Sequence, residues 1–573
     1  MRKLLPFLKD YKKESIIGPL FKLLEASFEL IVPLIMARII DTGIAQRDLP
    51  FIWKMGGVLI LLGVLGLSCS LLAQFFAAKA AVGFGTQLRH AMFAHIGSLS
   101  YAEQDKEGAS TLIVRMTSDI NQVQSGVNLV LRLFLRSPFI VVGALIMSVM
   151  IDWKVSLVFF VTVPLLALVI YGIMMISIPF YKKVQDRLDK VLGSTKENLT
   201  GVRVIRAFCT QDREKKEFEE KSIALMKVQQ MVGRISALLN PLTYVIVNFG
   251  IIFVVWFGGF GVNEGRLTQG EVIALVNYMT QILLALVALA NLIVTFTKAL
   301  ASAVRVNEVF ALTSEDRKAG EDFKDQADKK VEMEHVTFSY QGSQVPALSD
   351  ITFSVNKGET IGIIGSTGCG KSTLVNLIPR LYECTEGKVS VDGHDVKTWN
   401  SEALRQKIGI VPQHTALFRG TLEENLKMGR EDATKEEMYE ALKAAQALEL
   451  IDNTEQFSRM ISEGGKNLSG GQRQRVTIAR ALVRKPEILI LDDSSSALDF
   501  ATDARLRKAL RTYCENMTVF IVSQRAASIM HADRILVLDD GELAGQGTHK
   551  ELLKTCEVYK EICYSQLSEE EVR

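Results

Sequence analysis

The sequence predicts a multi-domain chain: an all-α transmembrane domain of six helices with long cytoplasmic extensions, followed by an α/β domain built on a phosphate-binding loop. Three observations carry that expectation. Six apolar runs crowd into the part before about residue 300 of a 573-residue chain. A charged stretch poor in apolar residues begins at Ala311, and a glycine-rich turn between an apolar strand and a helical pattern follows Gly358. At this length several domains are expected rather than one.

The apolar runs lie at about residues 15–40, 53–82, 128–150, 155–180, 241–262 and 271–299. Each supplies the roughly 20 residues a helix needs to cross a hydrocarbon core of about 30 Å. A soluble core helix explains one such run, but hardly six in succession, and together they raise the hydrophobic share to 48%. The formal net charge of +2 argues against an electrostatic nucleic-acid binder. Seven cysteines without CxxC spacing read as reduced, cytosol-facing thiols. The basic start "MRKLLPFLKDYKK" has too short an apolar run for a cleavable signal.

Lys and Arg placement sets the orientation. The N-terminus carries Arg2, Lys3, Lys9, Lys12 and Lys13, and the stretch 181–234 is rich in both. The short connections near 41–50, 151–154 and 263–270 carry only Arg47, Lys154 and Arg266. Both termini are therefore expected in the cytoplasm. The two cytoplasmic connections, roughly 83–127 and 181–240, read as amphipathic helix running out of the membrane. Each offers a break and a short helix, at about 108–121 and 208–216, placed to meet a partner below the membrane.

Charge within a span is costly unless paired or wetted. Glu25 and Glu29 share one face of the first helix, with Lys22 in reach of Glu25, and Arg132 and Arg136 form a similar pair entering the third span. Pairing at a helix interface, snorkelling toward water and, for Glu29, a polar translocation cavity are the readings.

After the linker at 311–330, the segment 331–573 has the composition of a soluble α/β domain. Gly365, Ser366, Thr367, Gly368, Cys369, Gly370, Lys371, Ser372 and Thr373 match the P-loop spacing GxxxxGK[ST] in strand–loop–helix context. Glycines let backbone N–H groups curl around phosphates at a helix N-terminus. Lys371 then meets the β- and γ-phosphates of ATP, and Ser372 offers its hydroxyl to Mg²⁺. Downstream, "LSGGQRQRVTIARAL" (Leu468–Leu482) precedes "KPEILILDD" (Lys485–Asp493).

In this order and spacing, P-loop, LSGGQ and acidic strand resemble the ATP-binding cassette, and the membrane domain before them resembles exporter-type ABC half-transporters. The resemblance covers essentially the whole chain. It implies two subunits paired head to tail, with each ATP between one P-loop and the opposite LSGGQ. It also implies roles for the matching residues. Tyr340 would stack on adenine, and Gln413 would reach Mg²⁺ and the γ-phosphate. Ser469, Gly470, Gly471 and Gln472 would grip the γ-phosphate of the opposite site. Asp492 would hold Mg²⁺ through water, and Asp499 would reach across the dimer. Glu463 sits where the family meets its coupling helices, which 108–121 and 208–216 resemble.

Two positions depart from the family pattern. The glutamate that polarises the attacking water is Asp493 here, with its carboxylate one methylene short. The histidine that touches the γ-phosphate is Gln524, which donates a hydrogen bond but has no titratable proton or positive charge to offer at pH 7. Both changes concern hydrolysis while the binding elements stay intact. The resemblance therefore points to the degenerate-site subunit of a heterodimeric multidrug exporter. Its own P-loop would bind ATP and hydrolyse it poorly, and its LSGGQ would complete the partner's competent site. A homodimeric exporter in which aspartate suffices, and an ATP-gated channel or regulator, are the other readings. The cargo expected is a hydrophobic or amphipathic compound, drug or lipid-like.

Overall fold

The computed structural model of the chain describes residues 2–315, 320–323, 328–451, 457–494 and 497–567. It divides into two compact units, Met1–Ala94 with Ser110–Ala311, and His95–Ala109 with Leu312–Arg573.

The membrane half runs in chain order through α1 (Lys12–Arg38), α2 (Leu49–Ser98), α3 (Tyr101–Glu107), α4 (Ala109–Val114) and α5 (Ile120–Leu133). It continues through α6 (Arg136–Ile151), α7 (Trp153–Thr200), α8 (Val202–Ala207), α9 (Gln211–Ala237), α10 (Leu239–Asn263) and α11 (Gln269–Phe310). Helix α2 has 50 residues, or about 75 Å at 1.5 Å per residue. That is more than twice the thickness of a hydrocarbon core, so such helices must project beyond it. Helix α11 lies at the centre of the first unit, packed against α1, α5, α6, α7 and α10. Its Leu275, Met279 and Ile282 are buried at helical spacing, and the Tyr278 hydroxyl donates to the Leu30 carbonyl at 2.7 Å. At the start of α11, Asp41 accepts from the Gly270 N–H at 2.8 Å and the Thr268 hydroxyl at 2.6 Å. A Cβ on Gly270 would lie 2.3 Å from the Ala37 carbonyl oxygen, so only glycine admits this approach.

Among the described residues, five helical stretches are long and apolar enough to cross a membrane: Leu49–Ser98, Ala109–Ile151, Trp153–Thr200, Gln211–Asn263 and Gln269–Phe310. The sixth expected span, 15–40, is helical as α1 but falls outside that set, because Lys22, Glu25 and Glu29 interrupt its apolar composition. Those charges are paired. Lys22 Nζ lies 2.6 Å from Glu25 and 3.2 Å from the Ser70 hydroxyl. Glu29 takes the guanidinium of Arg136 at 2.7 Å, so Arg136 turns to α1 rather than acting with Arg132.

The first of the two turns expected to lie in the cytoplasm comes ahead of the stretch 108–121. Ser100 caps α3 by accepting from the Glu103 N–H at 3.4 Å, and Gly108 ends it at φ 75°. Residues 109–121 then belong to α4, a π-helical turn at Arg115–Asp119 and the start of α5. The second turn holds α8, followed by an exposed Phe208 and by Cys209 at φ 55°, before α9 begins at Gln211.

The second unit contains β1 (Lys329–Phe338), β2 (Leu348–Asn356), β3 (Thr360–Gly365), β4 (Glu386–Val391), β5 (His394–Asp395) and β6 (Ile408–Val411). Later strands are β7 (Gly420–Thr421), β8 (Met460–Ile461), β9 (Ile488–Asp492), β10 (Thr518–Val522), β11 (Arg534–Asp539) and β12 (Glu542–Gly547). Its helices are α12 (Lys371–Leu377), α13 (Ser401–Gln406), α14 (Leu422–Lys427), α15 (Lys435–Ala444) and α16 (Gly470–Val483). They are followed by α17 (Phe500–Tyr513), α18 (Ala526–Ile529), α19 (His549–Thr555) and α20 (Glu557–Gln566).

The main sheet has the order β12-β11-β3-β10-β9-β6, parallel except at the β11–β12 edge. Its strands β3 and β9 are near-continuous apolar runs because helices cover both faces. A four-stranded antiparallel sheet, β2-β1-β4-β5, stands beside it. The charged stretch 311–330 is anchored where described: Glu315 pairs with Arg405 at 2.9 Å, and the Phe323 ring stacks on His394 at 3.8 Å.

Candidate functional site

Parallel strands deliver their C-terminal ends to one edge, where α/β sheets hold their ligands. Here β3 ends at Gly365, β9 at Asp492 and β10 at Val522, with Val522 in register with both Ile363 and Asp492. The expected phosphate loop therefore sits beside the expected acidic pair.

The loop is built for an anion. Ser366, Thr367 and Gly368 are exposed at its tip, while Cys369, Lys371 and Thr373 are buried. Gly370 caps α12 at φ 94°, and a Cβ there would lie 2.6 Å from the Ala347 carbonyl oxygen. Lys371 folds back on its own loop, donating to the carbonyls of Gly365 at 2.9 Å and Ser366 at 2.5 Å and lying 3.5 Å from Cys369 Sγ. An ammonium caged by carbonyl oxygens inside a ring of backbone N–H groups can exchange those oxygens for phosphate oxygens. The residues present thus fit a nucleotide triphosphate.

Beside it, the Ser372 hydroxyl donates to Asp492 Oδ1 at 2.9 Å. This hydroxyl–carboxylate pair is hard oxygen chemistry that suits Mg²⁺. Burial pushes the Asp492 carboxyl above the ordinary aspartate range, against the Ser372 bond, and the charge of Asp493 adds to the rise. Asp493 itself is half-buried at φ 44°, a left-handed conformation that aspartate tolerates better than most residues. Its N–H donates to the Val522 carbonyl at 3.0 Å, and its carboxylate takes a long contact of 3.5 Å from Gln413 Nε2. Burial raises its pKa too, opposed by the Gln413 contact and by the charges of Lys371 and Arg525.

Gln524 is exposed, two residues beyond Val522. Tyr340 is half-exposed and its hydroxyl meets Thr373 Oγ1 at 3.0 Å, which ties the expected adenine platform to the phosphate loop. Ser469 caps α16 through a reciprocal pair with Gln472, at 3.2 Å and 3.0 Å. Those two side chains are spent on the cap, and the first-turn N–H groups of Gly470 and Gly471 remain to face an anion. Asp499 caps α17 by accepting from the Thr502 N–H at 2.8 Å, which holds its carboxyl below the ordinary range. Glu463 is exposed in a short turn before α16. Among the described residues, the side-chain hydrogen bonds of Ser469 and Gln472 stay within their own cap.

Sequence reasoning missed three residues. Tyr382 packs edge-on against Tyr340 at 5.5 Å, lies 6.4 Å from the Tyr101 ring, and donates to the Asp105 carboxylate on α3. Burial, and then Asp105, push the Tyr382 phenol well above its ordinary range. Arg525 lies over the Phe500 ring at 5.1 Å, with one buried guanidinium nitrogen lacking a hydrogen-bond partner. Gln566, at the end of α20, bonds to the backbone on both sides of Arg525. An aromatic after the P-loop helix and an arginine beside Gln524 were the available signals for the first two. Nothing in the spacing marks Gln566.

With that geometry in place, comparison with known proteins decides the family. Residues 15–286 match the ABC transporter transmembrane region, and 348–496 match the ABC transporter nucleotide domain. The chain is 38% identical over 571 residues to the uncharacterized ABC transporter ATP-binding protein YfiB of Bacillus subtilis (strain 168), covering 100% of this chain and 99% of that one. It belongs to the ABC transporter family. More precisely, it is a half-transporter, a membrane-spanning domain fused to an ATP-binding cassette. The putative multidrug export ATP-binding/permease protein YgaD of the same organism is 30% identical, with 98% of each chain covered. Among solved structures, a bacterial Atm1-family ABC exporter with ATP bound shares the fold, with a TM-score of 0.82 at 22% identity over 97% of this chain and 99% of that one.

Proposed function

We propose that this half-transporter is the degenerate-site subunit of a heterodimeric exporter, moving hydrophobic or amphipathic drug- or lipid-like compounds out of the cytoplasm or inner leaflet. Export as the direction draws on the exporter fold and on the printed name of the YgaD relative. In this reading α1 is the sixth span, its charges neutralised by Arg136 and Lys22, and both termini are cytoplasmic. The segments near 101–121 and 202–216 are the coupling elements, and α3 already rests on Tyr382 of the cassette unit.

One observation carries the asymmetry. The Asp493 N–H is bonded to Val522, two residues before Gln524, so both departures from the family pattern stand at one pair of strand ends. The binding elements around them, from Gly365 to Thr373 and Asp492, keep their expected chemistry. So does the Ser469 cap that presents Gly470 and Gly471 to a partner's nucleotide. This chain's Lys371 pocket then binds ATP, with Tyr340 under the base and Ser372, Gln413 and Asp492 as the residues that would hold Mg²⁺. When bound, the metal draws charge off the phosphate oxygens. Asp493 is too short to prime water, and Gln524 orients the γ-phosphate without a proton to give. Asp499 and the Ser469 segment serve the partner's competent site.

The test is purification of this chain alone and with its co-purifying partner. Alone, it should retain photolabelled nucleotide at Lys371 with ATPase near background, and the pair should turn over. Brisk ATPase from the lone chain, abolished by Lys371→Ala, would overturn the asymmetric scheme in favour of a homodimer.

A further inference from the structure

The loop that carries Gln524 is held from outside the nucleotide site. Gln566 closes α20, and its side-chain amide makes two bonds to one short backbone segment. Gln566 Nε2 donates to the Gln524 carbonyl at 2.8 Å, and Gln566 Oε1 accepts from the Ala526 N–H at 2.8 Å. The two partners fix the amide's orientation, since a carbonyl demands the NH₂ end and an N–H demands the oxygen. The bonded groups are those that regular structure leaves over: Gln524 lies past the end of β10, and Ala526 opens α18, where first-turn N–H groups have no intrahelical acceptor.

The clamp has a firm base. Helix α20 is seated by buried Tyr559 and Cys563, and the Tyr559 hydroxyl meets His549 Nδ1 at 2.7 Å. Those side chains pack in one cluster with Ile364 of β3, the strand that delivers the phosphate loop, and with Ala526 and Ile529 of α18. Within the loop, the Arg525 N–H donates to Ser523 Oγ at 3.0 Å, and the Ser523 N–H donates to the Ile363 carbonyl at 3.0 Å. So the backbone that carries Gln524 is fixed from two sides, by β3 through Ser523 and by α20 through Gln566.

We propose that Gln566 is a positioning residue for the nucleotide-sensing loop, and that the C-terminal helix α20 thereby fixes where Gln524 meets the γ-phosphate. The proposal rests on the reading of Gln524 given above, but not on whether this site is degenerate. Losing the clamp frees two peptide groups without touching any group that binds nucleotide.

The test uses the full-length chain in lipid nanodiscs with its co-purifying partner, comparing wild type with Gln566→Leu and Gln566→Glu. Hydrogen exchange of the Gln524–Ala526 peptide is read with and without Mg–ATPγS, and ATP turnover at the Lys371 pocket is read in an Asp493→Glu, Gln524→His background with the partner's P-loop lysine mutated. In Gln566→Leu, the Ala526 amide should exchange about tenfold faster, the change expected for one hydrogen bond of about 1.4 kcal/mol. Nucleotide should no longer add protection there, and kcat should fall while KM for ATP and Tm hold. Gln566→Glu keeps the acceptor for Ala526 but sets a carboxylate against the Gln524 carbonyl, so Ala526 should stay protected while kcat falls. Unchanged exchange at Ala526 in Gln566→Leu overturns the proposal. So does a joint drop in Tm and rise in KM, which would make Gln566 a fold residue only. A lone chain with high ATPase would defeat the degenerate-site reading while leaving the exchange result intact.

Discussion

Replacing Asp493 by glutamate together with Gln524 by histidine tests the geometry of the Lys371 pocket directly. The added methylene moves the carboxylate by about 1.5 Å, one carbon–carbon bond. The backbone cannot slide to imitate that gain, because the Asp493 N–H is tied to Val522 at 3.0 Å and its neighbour Asp492 is bonded to Ser372 at 2.9 Å. A misplacement near 1 Å costs about a hundredfold where positioning carries the rate. Turnover at this pocket should therefore rise by about two orders of magnitude in the double variant. The φ of 44° at Asp493 sets a second expectation, because a longer side chain is less at ease there than aspartate. The variant should lose roughly 0.5–1 kcal/mol of stability, read as a small drop in Tm. The assay is vanadate trapping of photoreactive ATP, with the label mapped to the peptide containing Lys371 and the partner's P-loop lysine mutated. A gain below about threefold would refute the argument that reach limits this site.

Other outcomes follow from the same structure. Lys371→Ala should abolish labelling at this chain's pocket and leave the partner's pocket labelled, by photolabelling and peptide mapping. Tyr382→Phe removes the bond to Asp105 but keeps the ring against Tyr340, so ATP affinity should hold while stimulation of ATPase by transported compounds falls several-fold, since one charge-assisted bond is worth about 1.5–3 kcal/mol. Burial raises the Asp493 carboxyl, so the folded chain holds that proton more tightly than the unfolded one. Its effect on stability is therefore unfavourable near neutrality and relieved as pH falls. Asp493→Asn should therefore raise Tm near neutrality and bring no gain at low pH, read as Tm against pH. Glu29→Gln should destabilise the detergent-solubilised chain by about 1–2 kcal/mol, because it strands Arg136, and adding Arg136→Gln should recover part of that loss.

The nucleotide pocket was legible because its chemistry is local. Gly365 to Thr373 runs without interruption from the end of β3 through the loop into α12, and Asp492 ends an apolar strand whose burial the composition announces. The first span was harder. Its helix was visible, but the partners that neutralise Glu29 and Lys22 are Arg136 and Ser70, on other helices, and pattern alone does not choose among pairing, snorkelling and a cavity. The first turn was placed at the break after Gly108, whereas the separate helix lies before it, at Tyr101–Glu107, between Ser100 and Gly108. What holds that helix is Tyr382, 277 residues away. Gln566 was invisible for the same reason. It is one polar residue at the tip of an amphipathic helix, and only the fold brings it to Gln524.

The grouping of residues 95–109 with the cassette rather than with the membrane helices has a practical meaning for anyone who would work on the soluble half alone. A fragment starting at Val331 discards Asp105, Tyr101 and Glu315, and so bares the Tyr382 ring and strips Arg405 of its carboxylate. Such a truncated body would be sticky on the side next to Tyr340. Nucleotide affinities measured on it would describe a wounded surface, and supplying residues 95–109 as a separate peptide should cover Tyr382 again.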